Sequence, residues 1–235
     1  MTAPARSRPP LLTIVLALGV TALDALLLAL ALGGATALLA HPQAIALLAG
    51  WAAGGVALAL LRPVRSQDTV TIERDPALVL LLLFLLPLLT PPLAALGWRL
   101  GLLPLPGGEW LRWSGVAISI AGLGLRILAM VRLGARFSPL VAVQRQHALE
   151  THGLYAHVRH PGYLGSWLAA FGAVLAFGSA VGLIAVVGFG ALLARRARHE
   201  DALLEQHFGD AYRRYRAHTG AFLPRVGWVS RDVRA

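Results

Sequence analysis

The stretch HPGYLGSWLAAFGAVLAFGSAVGLIAVVGFGALLARRARHE, residues 160–200, decides how this chain folds. It holds two apolar runs, about Pro161–Phe177 and Ala180–Ala194, which are separated only by Gly178-Ser179. Histidine precedes the first run, and arginines with a glutamate follow the second. Apolar runs with polar ends are typical of helices in a membrane, and a glycine break this short indicates a turn. The stretch therefore predicts a tight helical hairpin that dips into or crosses the bilayer.

Four longer apolar runs precede the hairpin and predict transmembrane helices. Their approximate bounds are Leu11–Leu32, Gln43–Leu61, Ala77–Trp98 and Leu111–Val131. The chain is 57% hydrophobic and only 14% charged, whereas soluble domains are about 25% charged. The sequence therefore predicts an all-α, polytopic membrane protein with about five to six transmembrane helices and a cytoplasmic C-terminal helix. We expect an N-terminal transmembrane region, residues 1–131, and a C-terminal catalytic region, residues 132–235.

Two of these runs carry features that bear on where their helices begin or end. Arg6 and Arg8 precede the first run, as in a signal peptide, but the run is too long for one and no convincing cleavage site follows. It is therefore interpreted as the first span. The third run contains three prolines that predict a kink or an end of its helix: Pro87, Pro91 and Pro92.

The arginines indicate the orientation of the chain in the membrane. If the spans alternate, the N-terminus, residues 62–76, residues 132–160 and the tail share one side. Eighteen of the 21 basic residues, all arginine, then lie on that side, and Arg99 alone lies on the other when Arg112 and Arg126 of the fourth run are set aside. Because basic residues accumulate on the cytoplasmic side, both termini are predicted to be cytoplasmic, in a bacterial inner membrane.

Composition and spacing also exclude several classes of site. The chain has no cysteine, which excludes disulfides, thiolate catalysis and zinc-thiolate centres. Its net charge of +10 is attributed to the positive-inside bias and to anionic headgroups of membrane lipids, so no nucleic-acid partner is predicted. Four histidines lie close together, but their spacing of five, five and three residues brings no acidic residue to complete a ligand set, so no metal is predicted: His147, His152, His157 and His160.

Polar side chains gather at both ends of the hairpin. His160-Pro161 opens the first arm, where proline suits the first helical turn and free backbone N–H groups favour an anion or a polar ligand. Arg196 and Glu200 follow the second arm and, four residues apart, share one helical face. A hairpin returns its end to its beginning, so these side chains should converge with Tyr163. An ordinary helix start and an ordinary ion pair are the alternative explanation.

Polar residues elsewhere have weaker implications. Asp24 and Arg126 lie inside apolar runs, where a charge is costly and marks a pathway or a paired site, although Arg126 could instead extend to the surface. In the tail, apolar and aromatic residues recur at helical spacing and predict one amphipathic helix, which either anchors at the membrane surface, caps the hairpin or takes part in catalysis: Leu204, Phe208, Ala211, Tyr212 and Tyr215.

Three motifs follow one another in the last two-fifths of the chain. They are Gly153-x-Tyr155-x-x-Val158-Arg159-His160-Pro161-x-Tyr163-x-Gly165, then Arg196-x-x-x-Glu200, then Phe208-Gly209-x-x-Tyr212-x-x-Tyr215. Over about Phe137 to Arg225 the chain resembles the isoprenylcysteine carboxyl methyltransferase family. The resemblance implies a small integral-membrane methyltransferase that uses S-adenosylmethionine, bound at the cytoplasmic boundary of the membrane.

The resemblance also assigns roles to residues. Arg196 would bind the carboxylate of the substrate, and Arg196 and Glu200 would be the catalytic pair. Tyr155 and Tyr163 would hold the adenine or lie near the sulfonium. The cofactor site implied by the family pattern consists of Gln144, His147, Ala148, Leu149, Glu150, Tyr155, His160, Pro161, Gly162, Tyr163 and Glu200.

The sequence leaves alternatives open both for the methyl acceptor and for the class of reaction. The resemblance implies a hydrophobic or lipid-anchored methyl acceptor, most simply a carboxylate, while a small thiol, an isoprenoid acid or a phospholipid amine stay open. Membrane reductases of the sterol reductase type look similar in the same region and bind NADPH there. A small non-enzymatic transporter, with Asp24 and Arg126 on its pathway, is the third possibility. The oligomeric state is also left open.

Overall fold

The computed structural model of the chain describes residues 10–61, 69–73, 75–134, 141–144 and 149–225. Within these residues the fold consists of eight α-helices and a two-stranded antiparallel sheet, with 3₁₀ turns at Gly153–Ala156 and Ala180–Gly182. The elements in chain order are α1 (Pro10–Leu32), α2 (Ala35–Leu39), α3 (Pro42–Leu61), β1 (Thr69–Glu73), α4 (Ala77–Arg99), α5 (Gly108–Leu133), β2 (Val141–Gln144), α6 (Pro161–Phe177), α7 (Leu183–Phe208) and α8 (Asp210–His218).

The described helices include five segments that are long and apolar enough to cross a membrane, and the hairpin's first arm, Pro161–Phe177, is a shorter apolar helix. The all-α, polytopic prediction is therefore confirmed, and the chain is an integral membrane protein. The five segments are Leu11–Leu32, Pro42–Leu61, Ala77–Arg99, Gly108–Leu133 and Ala180–Phe208. The division of the chain at residue 131 stays a prediction.

The small sheet was not predicted from the sequence. β1 and β2 pair antiparallel, with Thr69 opposite Gln144 and Glu73 opposite Val141. Both strands are rich in β-branched residues, but they are short and are separated along the chain by α4 and α5. The two strands can pair only because α4 and α5 run in opposite directions and return the chain to the end where β1 lies. No local sequence pattern predicts this pairing.

The three prolines of α4 do not end the helix, which continues to Arg99. Pro91 and Pro92 are buried against the rest of the bundle, and the hydroxyl of Thr90 donates to the carbonyl of Leu86 at 2.7 Å. In a membrane, neighbouring helices and hydroxyl side chains compensate for the backbone hydrogen bonds that proline removes. Of the two predicted effects of the prolines, an end of the helix is therefore wrong, and a kink stays a prediction.

Glycines let α5 and α6 pack with their backbones in close contact. A Cβ atom on Gly122 would lie 2.5 Å from the backbone nitrogen of Ala169, and one on Gly172 would lie 2.4 Å from that of Ser119. Gly115 and Gly165 are equally tight at 2.3 and 2.5 Å from backbone atoms of the facing helix. Small residues at such a spacing allow helices in lipid to approach closely, and this seam fixes α6 against α5.

The predicted hairpin is present, and its turn is fastened to the neighbouring loop. α6 ends at Phe177, Gly178 adopts the left-handed conformation (φ 66°), and α7 follows after the 3₁₀ turn. The Ser179 hydroxyl donates to the carbonyl of Leu102 at 2.8 Å, and the Ala180 N–H donates to that of Leu103 at 2.9 Å. These bonds hold the turn at the end of the bundle opposite to His160.

The second arm is longer than predicted. α7 continues past Ala194 as one helix to Phe208, and α8 starts after Gly209, which has a positive φ of 54°. The predicted single stripe in the tail is therefore wrong. Phe208 belongs to α7, whereas Tyr212 and Tyr215 belong to α8, and Tyr212 is buried against the end of the hairpin. The tail thus folds back as a cap on the hairpin.

Candidate functional site

The two ends of the hairpin meet at one end of the helix bundle. The Tyr163 hydroxyl, on the first turn of α6, donates to Glu200 Oε2 at 2.8 Å and accepts from Arg196 Nε at 3.0 Å. His160, just before α6, stacks on the Tyr163 ring, and its Nδ1 lies 3.6 Å from Glu200 Oε2. Four of the side chains singled out in the sequence therefore form one cluster.

Asp201 is the buried centre of this cluster. Its carboxylate accepts hydrogen bonds from Arg159 Nε and NH2 at 3.2 and 3.1 Å, from His160 Nε2 at 2.8 Å and from the Tyr212 hydroxyl. Asp201 is 6% exposed and His160 is 5% exposed. One carboxylate thus joins α7, the segment before α6, and α8. The sequence alone assigned no role to Asp201, Arg159 or Tyr212.

His160 is held as a cation by the carboxylates around it. Burial alone would lower its pKa, but the hydrogen bonds and charges of Asp201 and Glu200 outweigh burial and raise the pKa to about 9. The ring therefore donates from both nitrogens near neutral pH, to Asp201 through Nε2 and toward Glu200 through Nδ1. His160 consequently fixes the positions of both acidic side chains at once.

The end of the described chain returns along the segment before α6. The N–H of Arg159 donates to the carbonyl of Gly220 at 2.9 Å, and the N–H of His160 donates to that of Ala221 at 3.0 Å. The Arg159 guanidinium also donates to the carbonyl of Thr219, and the Phe222 ring lies 6.0 Å from that of His160. The segment after α8 therefore closes over the cluster.

Arg196 is buried and has an acidic partner that the sequence did not suggest. Its NH1 lies 3.2 Å from Asp75 Oδ2, and both side chains are less than a tenth exposed. Asp75 immediately precedes α4, more than one hundred residues earlier in the chain. Nothing in the local sequence distinguishes Asp75 from the other charged residues of that loop, so only the fold could identify it.

An apolar cavity of about 330 Å³ opens beside the cluster, between α6, α7 and the returning segment. Tyr163 belongs both to its wall and to the polar cluster, so the cavity borders the cluster at this residue. The residues that line it are Tyr163, Leu164, Trp167, Gly190, Leu193, Ala194, Phe222 and Leu223.

The other predicted site residues lie at varying distance from this cluster. Gln144 lies on β2, where its backbone pairs with Thr69, and His147 and Ala148 lie outside the described residues. Leu149 and Glu150 are half-buried, and Glu150 Oε1 accepts from the N–H of His152 at 3.1 Å. For all five residues a role toward a cofactor stays a prediction.

Tyr155, Pro161 and Gly162 frame the start of α6. The buried Tyr155 donates its hydroxyl to the carbonyl of Ala129 on α5 at 3.3 Å, and its own carbonyl accepts from the Tyr215 hydroxyl at 2.7 Å. Pro161 is buried at the first position of α6, and Gly162 faces Ala129. The Tyr155 hydroxyl is thus directed to α5, and the prediction that this ring holds an adenine stays a prediction.

Comparison with known proteins finds a family similarity over part of the chain. The family model described as isoprenylcysteine carboxyl methyltransferase matches residues 115–206, which run from α5 through α7 and contain His160, Tyr163, Arg196 and Glu200. Over these residues the chain is similar to the isoprenylcysteine carboxyl methyltransferase family.

Curated relatives are similar over about half of the chain. A protein-S-isoprenylcysteine O-methyltransferase of Schizosaccharomyces pombe is 37% identical over 108 residues, covering 45% of this chain and 46% of the relative. The Dictyostelium discoideum enzyme of the same name is 29% identical over 122 residues, 48% of this chain and 49% of the relative. The chain therefore spans about half the length of these curated relatives.

A solved structure shows the same fold. It is that of a eukaryotic intramembrane Ras methyltransferase, an isoprenylcysteine carboxyl methyltransferase, with a TM-score of 0.52 and 22% sequence identity. The similarity covers 76% of this chain and 64% of the other. It extends beyond the segment matched by the family model and supports the helical arrangement described above.

The residues of the cluster fit S-adenosylmethionine, the methyl donor of this family. The Glu200 side chain is 34% exposed and retains lone pairs that can accept from hydroxyl or amino groups of a ligand. Its carboxylate and the Tyr163 ring also suit the positive charge of a sulfonium. By contrast, Asp201 is buried with its donors already in place. Glu200 is therefore the acidic group of the cluster that can turn toward a cofactor.

Proposed function

We propose that this chain is an integral-membrane methyltransferase that transfers a methyl group from S-adenosylmethionine to the carboxylate of a hydrophobic, lipid-linked acceptor. One observation carries the proposal. Arg196 and Glu200, one turn apart on α7, meet at the hydroxyl of Tyr163, whose side chain also lines an apolar cavity between α6 and α7. A cation and a carboxylate that share a residue with an apolar cavity suit an acceptor with an acidic head and a long apolar tail.

Methyl transfer to a carboxylate requires the protein mainly to position the two reactants. S-adenosylmethionine supplies a methyl group whose bond to a positively charged sulfur breaks as a bond to the acceptor oxygen forms, leaving a neutral thioether. A carboxylate is already ionised near neutral pH, so no general base has to remove a proton. The residues of the site therefore have to align the two reactants and exclude water.

Arg196 is the proposed partner of the acceptor carboxylate. Its guanidinium can hold a carboxylate through two parallel hydrogen bonds. Asp75 and Tyr163 contact it at 3.2 and 3.0 Å, so its plane is fixed before an acceptor arrives. The burial of this arginine in the bundle strengthens its attraction to an acidic head.

Glu200 is the proposed partner of the cofactor, with His160 and Tyr163 as its positioning residues. The resemblance extends the proposed cofactor site to Pro161, Gly162 and Tyr155 around the start of α6. It also adds the segment before Gly153, namely Gln144, His147, Ala148, Leu149 and Glu150.

The acceptor class follows from the cavity and from the relatives. The walls are apolar and include Trp167 and Leu193, which suits a hydrocarbon tail that enters from the membrane. The relatives are named protein-S-isoprenylcysteine O-methyltransferases. We infer that the acceptor is an S-isoprenyl cysteine or a similarly acidic isoprenoid. The arginine distribution supports a site on the cytoplasmic side, with both termini there as well.

Cofactor binding is the first test. Equilibrium dialysis of the purified full-length chain against labelled S-adenosylmethionine, and separately against NADPH, should show saturable binding of the former alone. Glu200→Gln should weaken this binding by about 10- to 100-fold, the effect of one hydrogen bond to a charged group. Glu205→Gln, on the same helix but paired with surface arginines, is the matched control and should bind normally. Binding of NADPH alone would assign the chain to the reductase class.

Acceptor turnover is the second test. With an S-isoprenyl cysteine as acceptor, Arg196→Met should lower kcat/KM by about 1,000-fold, because a bidentate charged contact is lost, while cofactor binding is retained. Arg198→Met is the control, since Arg198 is exposed on the same helix. The carboxamide analogue of the acceptor should not be methylated. Equal turnover of acid and carboxamide would exclude the carboxyl assignment and leave the cofactor assignment intact.

A further inference from the structure

Asp24 places a carboxyl group inside a membrane span. It lies on α1 about 12 Å from the Leu32 end of the helix, at the ordinary rise of 1.5 Å per residue. Among the residues that the structure describes, no hydrogen bond or ion pair engages its carboxyl group, and it is half-buried. Acidic residues inside a span usually face a partner, a pathway or a ligand, since an unpaired charge in hydrocarbon is unfavourable.

Asp24 opens onto a second cavity of about 270 Å³, formed by α1, α3, α4 and α6. This cavity shares no lining residue with the one beside Glu200: its α6 wall begins at Ser166, whereas the other uses Tyr163, Leu164 and Trp167. Its remaining walls are almost entirely apolar. The two cavities therefore lie on different faces of α6 and are separate sites.

The other polar groups around this second cavity are already engaged. The Ser166 hydroxyl accepts from Arg126 NH1 at 2.5 Å and donates to the carbonyl of Gly162 at 2.8 Å. The Trp51 indole N–H donates to Ser119 Oγ at 3.3 Å. Among the described residues of this cavity, Asp24 is consequently the side chain that can still offer a ligand a hydrogen bond and a charge.

The walls near Asp24 also favour a cation. Trp51 and Phe84 both line the cavity, and aromatic faces attract ammonium groups, most strongly where water is excluded. A carboxylate and aromatic rings together recognise a protonated amine, while the apolar remainder of the walls suits a compact hydrocarbon body. A neutral alcohol would gain one hydrogen bond without charge pairing, and an acid would be repelled.

We propose that this intramembrane cavity binds a lipophilic amine, an apolar body that carries a protonated amino group, with Asp24 as its counter-ion. The proposal is independent of methyl transfer. It assigns a second ligand site whose counter-ion, Asp24, precedes the segment matched by the family model, while its α6 wall lies inside that segment.

The probe is tritiated 1-aminoadamantane, with 1-adamantanol and 1-adamantanecarboxylate as neutral and acidic analogues of the same shape. Binding to the purified full-length chain in detergent is measured by equilibrium dialysis. The amine should bind at least about tenfold more tightly than the alcohol, in line with a buried charge-assisted contact, and the acid should not bind.

Substitutions at the cavity complete the test. Asp24→Asn keeps the shape and removes the charge, so it should weaken amine binding at least about tenfold and leave alcohol binding unchanged. Thr21→Val is the control, because its hydroxyl bonds to the Ala17 carbonyl and does not line the cavity. Val20→Phe, which adds bulk from a partly lipid-exposed position of the wall, should block both ligands.

Each contrary result has one meaning. Unchanged amine binding in Asp24→Asn, equal binding of amine and alcohol to the wild type, or full binding in Val20→Phe would overturn the proposal. S-adenosylmethionine binding is measured on the same preparations and should be normal in all three variants. Normal S-adenosylmethionine binding shows that a variant is folded. If the wild type did not bind S-adenosylmethionine, that result would contradict the methyltransferase assignment and would leave the proposal for Asp24 unaffected.

Discussion

The two ends of α6 carry clusters built from the same residue types. His160, Arg159 and Asp201 meet at the Pro161 end. About 24 Å away, at the ordinary helical rise, His41 lies against the Phe177 ring, and its Nε2 is 2.8 Å from Arg112 NH2. Each cluster therefore has a buried histidine beside an arginine.

The charge around the two rings differs. At His41, burial and then the charge of Arg112 lower the pKa to about 4, and the nearby carboxylate, Glu109, is 63% exposed in its side chain. At His160 two carboxylates face the ring and raise its pKa to about 9. The neutral cluster holds α2, α3 and α5 together. The charged one positions Glu200, which retains capacity for a ligand. The number of carboxylates that contact the ring, rather than the residue types, separates the cluster at His41 from the candidate site at His160.

Removing the carboxylate of Asp201 should erase most of this difference. Asp201→Asn leaves Arg159 and His160 buried without their counter-ion, which should lower the free energy of unfolding by about 4 kcal/mol. S-adenosylmethionine binding should weaken by more than about tenfold as Glu200 loses its positioning. Chemical unfolding in detergent and equilibrium dialysis measure the two effects. Asp210→Asn is the control, since Asp210 is exposed on α8 and pairs only with Arg213 among the described contacts. A stable Asp201→Asn protein with normal binding would contradict the assigned role.

The stability of the clusters at the two ends of α6 should change with pH in opposite directions. The pKa of His160 is higher in the folded chain than the ordinary 6.5, so its contribution to stability is present below about pH 6.5 and is lost as pH rises through 9. The pKa of His41 is lower, so its contribution is present above about 6.5 and is lost as pH falls through 4. Each shift corresponds to about 3 kcal/mol. Hydrogen exchange of amides near each histidine should show alkali opening one end and acid the other. Opening of both ends by the same change of pH would refute the comparison.

The seam between α5 and α6 should affect both ends together. Gly122→Ala places a methyl group against the backbone of Ala169, so the helices must separate, and we expect a loss of about 2 kcal/mol in the free energy of unfolding. Gly124→Ala is the matched control on the same helix. No atom lies within 4 Å of its added Cβ, so stability should stay level or rise by up to about 1 kcal/mol. Similar losses in both variants would mean that helix propensity, not packing, sets the effect.

Changes at the His41 end should leave the candidate site intact. Arg112→Met removes the hydrogen bonds to His41, Gln43 and Glu109 and should cost about 1–2 kcal/mol. The folded fraction should bind S-adenosylmethionine with unchanged affinity. A loss of affinity measured well below the unfolding transition would show that the two clusters are coupled through α6.

The sequence predicted what depends on short-range patterns. Long apolar runs predicted the helical membrane fold, the Gly178-Ser179 break predicted the hairpin, and the hairpin predicted that His160 and Tyr163 would meet Arg196 and Glu200. These inferences need only helix geometry and the return of a hairpin to its starting point.

The other features of the fold and of the candidate site depend on long-range contacts that no local sequence pattern predicts. Asp75 reaches Arg196 only because α4 packs beside α7, and Asp201 gathers Tyr212 only because the chain reverses at Gly209. Gly209 itself appeared in the sequence as part of a motif, not as the point where α7 ends. The prolines of α4 do not end the helix, because neighbouring helices and a threonine hydroxyl compensate for the backbone hydrogen bonds that proline removes.

One consequence follows from the unbroken course of α7. Leu183, next to the fastened turn, and Glu200 are joined by a rigid rod about 26 Å long, so a rock of about 5° at the turn would swing the carboxylate by roughly 2 Å, enough to break its hydrogen bond to Tyr163. In a fluctuating bilayer, the Glu200 end of α7 must therefore be held in place by contacts of its own. Asp201, the residue after Glu200, is bound there by Arg159, His160 and Tyr212, and these contacts hold that end of α7 still.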